Sequence, residues 1–136
     1  MATKRIELGC HLGPYRVLQQ LGAGGAGEVF LAEDINTNEK VALKTLRPGA
    51  AAIEEIHARF IREITVAQKV KSEYVVGYRD CGVDEGVLYY AMQYFTWGSL
   101  SDTLARRGTL RWQEACECGI DLACGLGDFH QLGILH

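Results

Sequence analysis

The sequence has no excess of positive charge. Its 136 residues include 14 basic and 17 acidic side chains, which gives a formal net charge of -3 at pH 7. Proteins that bind nucleic acid through its phosphates need a basic surface. The composition therefore argues against a nucleic-acid partner. The length predicts one ordinary domain, or a part of one, with a hydrophobic core.

Long hydrophobic runs are also absent. The N-terminal segment MATKRIELGCHLGPYRVL lacks the continuous apolar core of a signal peptide. The most apolar candidate helix is interrupted by Glu117 and Asp121 before it could span a bilayer. We therefore expect no membrane partner and a cytoplasmic location.

A disulfide framework is not indicated either. The cysteines are odd in number and show no repeated pair spacing: Cys10, Cys81, Cys116, Cys118 and Cys124. This pattern suits free thiols in a reducing compartment. Two of them, Cys116 and Cys118, are two residues apart in a predicted helix and so point in different directions. We predict no metal site.

Glycine, in contrast, is abundant, with 16 residues, and it clusters in the segment LQQLGAGGAGEVFLAED at residues 18–34. Glycine is costly to order, so a cluster marks a place where backbone approaches something closely. Gly22, Gly24 and Gly27 fit the pattern G-x-G-x-x-G, which two unrelated phosphate-binding designs share.

The residues after the glycines discriminate between these designs. In a dinucleotide-binding fold a helix follows the third glycine. Here EVFLAED has no helical stripe and leads to a turn and another strand, so no room remains for a crossover helix. The pattern favours a hairpin that covers the phosphates of a nucleoside triphosphate. A purely structural glycine turn is the other alternative.

Short strand-like runs bounded by turn signals predict five strands, and hydrophobic stripes together with a capping signal predict three helices. The predicted strands are 15–21, 28–33, 41–46, 74–83 and 87–95, and the predicted helices are 51–70, one that begins at Ser99, and 112–132. Ser99 and Asp102 have the spacing of a capping box at the start of the second helix.

One charged pair is predicted from the helical wheel. Glu63 falls inside the apolar stripe of the helix at 51–70, where an unpaired carboxylate would cost several kcal/mol. Lys44 lies on the third predicted strand and shares a face with Ala42 and Leu46. We therefore expect Lys44 and Glu63 to form an ion pair.

Four motifs in order now carry a family resemblance: GAGGAGEV, VALK, FIREI and YYAMQYFTWGSL. From about Tyr15 to His136 the chain resembles the first half of a protein kinase catalytic domain, most of all that of bacterial serine/threonine kinases. The resemblance implies an α+β fold, with an N-terminal extension at 1–14. A small lobe at 15–95 would consist of a five-stranded antiparallel sheet and one helix. The first two helices of an incomplete large lobe would follow at 96–136.

The resemblance also implies roles for particular residues. Lys44 would bind the α and β phosphates of ATP, and Glu63 would hold Lys44 by an ion pair that forms when the helix is swung inward. Leu21, Val29 and Ala42 would sandwich the adenine. The implied ATP-binding set is Leu21, Gly22, Ala23, Gly24, Gly25, Ala26, Gly27, Val29, Ala42, Lys44, Met92, Gln93, Tyr94 and Phe95.

In that set the end of the fifth strand would read the adenine. Met92 would be the gatekeeper, a role compatible with ordinary core packing. Gln93, Tyr94 and Phe95 would form the hinge, with the carbonyl of Gln93 and the amide of Phe95 as the groups that bind the base.

The chain would lack the rest of the catalytic apparatus. His136 aligns with the first residue of H-R-D-L-x-x-x-N, so the catalytic aspartate and the Mg2+ ligands of the family lie outside this sequence. We expect ATP as cofactor, Mg2+ and a protein substrate for the complete domain, and no kinase activity from this chain alone.

The last predicted helix raises an alternative function. Trp112, Ile120, Leu126 and Phe129 would leave part of their apolar surface in water, which would favour self-association or a protein partner. The chain would then be a catalytically inactive nucleotide-binding or protein-interaction module derived from a kinase.

Overall fold

A computed structural model of the protein describes residues 5–24, 27–46 and 54–135. The strands in these residues are β1 His11–Leu12, β2 Tyr15–Gly24, β3 Gly27–Asp34, β4 Lys40–Leu46, β5 Tyr78–Asp84 and β6 Val87–Gln93. The helices are α1 Glu54–Lys69, α2 Leu100–Arg107 and α3 Trp112–Gln131.

All six strands form one antiparallel sheet in the order β1-β2-β3-β4-β6-β5. The predicted α+β fold is confirmed, and its five predicted strands are present. The additional strand, β1, lies in the predicted N-terminal extension and has two residues. It pairs Leu12 with Tyr15 across a turn in which Gly13 has a φ of 56°. A strand of two residues is too short to show a pattern in the sequence, so the sequence does not predict it.

Each face of the sheet carries its own core. On one face the buried cluster comprises Leu12, Tyr15, Val17, Phe30, Ala32, Val41, Leu43, Val87, Tyr89 and Ala91. Ile6 and Cys10, from the chain before β1, pack against it. On the other face Leu46 and Tyr90 pack against Phe60 and Ile64 of α1.

The predicted element boundaries shift by a few residues. The strand predicted at 74–83 is observed at Tyr78–Asp84, and the one predicted at 87–95 ends at Gln93. The turn between them has positive φ at Glu85 (46°) and Gly86 (80°), the backbone of a tight hairpin turn. Helix α1 is observed at Glu54–Lys69, while residues 51–53 of the predicted helix lie outside the described part of the chain.

The chain divides into two compact units. The first contains the sheet and α1, and the second contains Val70–Val76 and the chain from Phe95 onward. The predicted domain borders after residues 14 and 95 stay predictions.

Hydrogen bonds made by Ser72 and Ser99 organise the second unit. The Ser72 hydroxyl donates a hydrogen bond to Asp128 of α3 and accepts one from the backbone amide of Tyr74 at 3.0 Å. The predicted capping box of α2 is present, with Asp102 N to Ser99 Oγ at 3.1 Å and Ser99 N to Asp102 Oδ2 at 2.6 Å.

The structure also describes the cysteines and the apolar character of the helices. Each of the five cysteines is a free thiol. None of the helices found in the described ranges has a stretch long and apolar enough to cross a membrane.

Candidate functional site

The site is built around Lys44, at the centre of β4. Lys44 is the register partner of Val29 on β3 and of Tyr90 on β6. Its ammonium bonds both carboxylate oxygens of Glu63 on α1, with Nζ at 2.7 Å from Oε1 and 2.9 Å from Oε2. The structure therefore contains the Lys44–Glu63 pair that the sequence predicts.

The expected burial of Glu63 is wrong. Its side chain is 47% exposed and that of Lys44 is 29% exposed. The buried positions of α1 are Phe60 and Ile64, so Glu63 lies at the margin of the apolar stripe and reaches past the core to the ammonium. The pair is partly solvated, and its contribution to stability is correspondingly modest.

Tyr90 is a third member of this cluster, and the sequence analysis missed it. Its hydroxyl donates a hydrogen bond to Glu63 Oε1 at 3.0 Å. Its ring packs on Phe60 of α1 with the ring centroids 5.5 Å apart. Burial, and then the neighbouring Glu63 carboxylate, raise the pKa of Tyr90 far above its ordinary value of 10.0. Only the strand register, which the sequence does not reveal, places Tyr90 opposite Lys44.

The glycine-rich segment is a hairpin formed by the ends of β2 and β3. Gly22 pairs with Val29, Ala23 with Glu28, and Gly24 with Gly27. The predicted residues Gly25 and Ala26 lie outside the described residues.

The hairpin glycines differ in what they make room for. A Cβ on Gly27 would lie 2.7 Å from the backbone oxygen of Thr45, so packing against β4 requires glycine there. A Cβ on Gly22 or Gly24 would meet no atom of the described residues within 4 Å. Packing against the part of the chain that the structure describes gives these two positions no reason to be glycine. Their bare backbone leaves open space on the hairpin.

The predicted adenine-binding residues outside the hinge fall in two groups. Val29, Ala42 and Met92 share the face of the sheet that carries Lys44, since Ala42 pairs with Met92 and Val29 with Lys44. Leu21 lies at a register shift between the pairs formed by Gln20 and Gly22, and it is 42% exposed.

The predicted hinge lies at the end of β6. The amide of Gln93 donates to the carbonyl of Gly77 at 2.8 Å, and Tyr94 is the last residue of the first unit. Phe95 belongs to the second unit, so the structure does not group it with the other predicted residues. The base-binding roles of the Gln93 carbonyl and the Phe95 amide stay predictions.

A metal centre is not formed by the part of the chain that the structure describes. Within residues 5–24, 27–46 and 54–135, no three histidine, cysteine, aspartate or glutamate side chains are grouped to hold a metal ion.

Comparison with known proteins places these features in a family. The profile of the protein kinase domain matches residues 15–136. The chain is 32% identical over 124 residues to the serine/threonine-protein kinase PrkC of Bacillus subtilis, covering 91% of this chain and 19% of that protein. It is 32% identical over 130 residues to the serine/threonine-protein kinase PknD of Mycobacterium tuberculosis, covering 96% and 20% respectively.

A solved structure gives the same result. The crystal structure of the PknI kinase domain of Mycobacterium tuberculosis matches with a TM-score of 0.80 and 30% identity, over 97% of this chain and 53% of that one. The chain thus spans about a fifth of the length of these curated relatives and about half of the solved kinase-domain chain.

Proposed function

The chain belongs to the protein kinase family, as part of a serine/threonine protein kinase domain, and from this premise we propose that its sheet and helix α1 bind ATP. When bound, ATP would supply the phosphoryl group for transfer to a protein hydroxyl. The residues of this chain bind and orient the nucleotide. The resemblance to bacterial serine/threonine kinases that the motifs predict is confirmed by these relatives.

Lys44 carries this proposal. Its ammonium is held by the two oxygens of Glu63 on the sheet face that also presents Val29, Ala42 and Met92. A fixed cation suits the phosphates of a nucleotide, and a neighbouring apolar surface suits its base.

The glycine-rich hairpin adds to the fit. Gly22 and Gly24 leave open space beside a backbone whose amides can donate to phosphate oxygens. Packing against the described residues explains Gly27 but not these two residues, which supports a phosphate-covering hairpin over a purely structural turn.

We further infer that this chain does not transfer phosphoryl groups by itself. Its sequence contains no match to the catalytic aspartate or to the metal ligands of the family. Among the described residues, no three histidine, cysteine, aspartate or glutamate side chains are grouped to hold a metal ion. Phosphate transfer by the purified chain that disappears in Lys44→Ala would contradict this inference.

Calorimetric titration with ATP tests the binding proposal. We expect Lys44→Ala to weaken binding roughly 10- to 100-fold, as for the loss of a hydrogen-bonded charge. Lys40→Ala is the matched control, because Lys40 is an exposed lysine at the start of the same strand. A folded wild-type chain that binds no ATP, or equal binding by Lys44→Ala, would refute the proposal.

A second candidate function is protein interaction through α3. Trp112, Ile120 and Leu126 of this helix are 73%, 61% and 41% exposed, and Phe129 is partly exposed, as the sequence predicts. If this face mediates self-association, sedimentation velocity should show concentration-dependent growth that Ile120→Asp abolishes. A wild-type chain that stays monomeric throughout would exclude self-association.

A further inference from the structure

Strand β6 carries two adjacent tyrosines on opposite faces of the sheet. Both are buried, with 5% of their surface exposed. Tyr89 joins the core formed by the strands, whereas Tyr90 joins the core beneath α1. The hydroxyl of Tyr89 lies against Gly13 and Gly82, while that of Tyr90 bonds Glu63.

Tyr90 contacts α1 in two ways. Its ring packs on Phe60, and its hydroxyl bonds Glu63, three residues further along the helix. Residues three apart lie on the same side of a helix. One side chain of the sheet therefore constrains both the position and the rotation of α1 at this turn.

The carboxylate of Glu63 has two donors that come from the sheet. Lys44 Nζ and Tyr90 Oη both bond its Oε1, at 2.7 and 3.0 Å. The two donors are register partners on neighbouring strands, so the sheet fixes their separation.

These donors would respond differently to a nucleotide. An ammonium that binds phosphate shares its hydrogen bonds between phosphate and Glu63, whereas the tyrosine hydroxyl stays committed to the carboxylate. Because Glu63 is about half exposed, water competes for its oxygens once the bond from Lys44 is shared.

We propose that Tyr90 is a positioning residue, whose hydroxyl keeps Glu63 beside Lys44 while the ammonium engages a nucleotide phosphate. The role rests on the proposed ATP binding. The Tyr90 hydroxyl, which comes from β6, would be an uncharged hydrogen-bond donor to Glu63 in addition to the ammonium of Lys44.

Tyr90→Phe tests the proposal in the whole chain, since it removes the hydroxyl and keeps the ring on Phe60. We expect ATP to bind roughly three- to tenfold more weakly, as for the loss of one net hydrogen bond. Tyr89→Phe is the matched control, because it removes an equally buried hydroxyl from the other face and should leave ATP affinity unchanged.

A double-mutant cycle separates positioning from simple packing. In a Glu63→Ala background, Tyr90→Phe should cause no further loss of ATP affinity, because its effect passes through the carboxylate. An equal loss with and without Glu63 would overturn the proposal.

Hydrogen exchange gives a readout that does not need the nucleotide. Amides of α1 should exchange faster in Tyr90→Phe than in Tyr89→Phe. If the wild-type chain binds no ATP, the proposed function fails, and the role of Tyr90 in nucleotide binding fails with it. Faster exchange in Tyr90→Phe would still show that the hydroxyl anchors α1. Unchanged exchange and unchanged ATP affinity would overturn the inference.

Discussion

The two faces of the sheet differ in the size of their apolar cores and in what packs against them. On one face, Ile6 and Cys10 from the chain before β1 pack against the buried cluster, which contains no charged residue. The other face is covered by α1, and at the margin of its core lie Lys44, Glu63 and Tyr90. The proposed function therefore implies a testable separation: substitutions in the first core should affect folding, whereas substitutions of Lys44 and Glu63 should mainly affect the proposed ATP binding.

Among these substitutions, Leu43→Ala should lower the stability of the protein most. Leu43 is fully buried in the first core, so the substitution should lower the free energy of unfolding by about 2–5 kcal/mol. Urea denaturation followed by circular dichroism measures this. Leu8→Ala is the control, because Leu8 is 68% exposed and its loss should cost under about 0.5 kcal/mol. A similar small cost for both variants would show that the first core is not the main source of stability.

The glycines of the hairpin should show the same separation within a few residues. Gly27→Ala should lower the free energy of unfolding by about 1–3 kcal/mol, because the added Cβ meets the Thr45 carbonyl at 2.7 Å. Gly22→Ala should change it by less than about 1 kcal/mol, since the added Cβ meets open space. Gly22→Ala should instead weaken ATP binding. Both variants are compared by denaturation and by ATP titration. If the same variant showed the larger loss in both measurements, the distinction would be refuted.

Lys44→Met should leave stability almost unchanged. The Lys44–Glu63 pair is partly exposed, so its removal should alter the free energy of unfolding by less than about 1 kcal/mol. The same urea denaturation measures it. A loss as large as that of Leu43→Ala would mean that the pair supports the fold as well as the proposed site.

The smallest effect should come from the exposed ion pair of the second unit. Hydrogen bonds from the Arg107 side chain and then from the backbone amide of Arg111 lower the pKa of Glu114 from 4.5 to about 2. Since the folded pKa is depressed, the stabilisation is present above about pH 4.5 and is lost as the pH falls towards 2.

Arg107→Ala tests that pH dependence. It should return the pKa of Glu114 towards its ordinary value, as followed by the NMR signal of the carboxyl carbon. Arg106→Ala is the neighbouring control, because Arg106 bonds Thr103 and not Glu114. An equal shift of the Glu114 titration in both variants would contradict the assignment to Arg107.

Local patterns predicted most of the fold. Strand-like runs bounded by turn signals predicted five strands near their observed places, and the spacing of Ser99 and Asp102 predicted the start of α2. β1 was not predicted, because it depends on the fit of Leu12 into a distant core and on a turn at Gly13.

The candidate site was predicted in part. The predicted position of Glu63 inside the apolar stripe was enough to indicate a bond with Lys44, although a helical wheel cannot distinguish a buried position from one at the margin. Tyr90 was missed for another reason. Which of two adjacent tyrosines faces α1 depends on strand register, and register is set by pairing between strands.

The hydroxyl of Tyr89 links two distant segments of the chain. A Cβ at Gly13 or at Gly82 would lie 2.1 or 2.5 Å from it, too close in either case. The two positions should therefore vary in concert with position 89 among homologous sequences. Loss of the hydroxyl alone is not enough at position 82, because the ring carbon Cζ of Tyr89 also lies 2.8 Å from a Cβ built there. Alanine should become acceptable at position 82 where residue 89 is smaller than phenylalanine, while the φ of 56° at position 13 continues to favour glycine. One side chain should thus leave a pattern of covariation at two positions that are distant in the sequence.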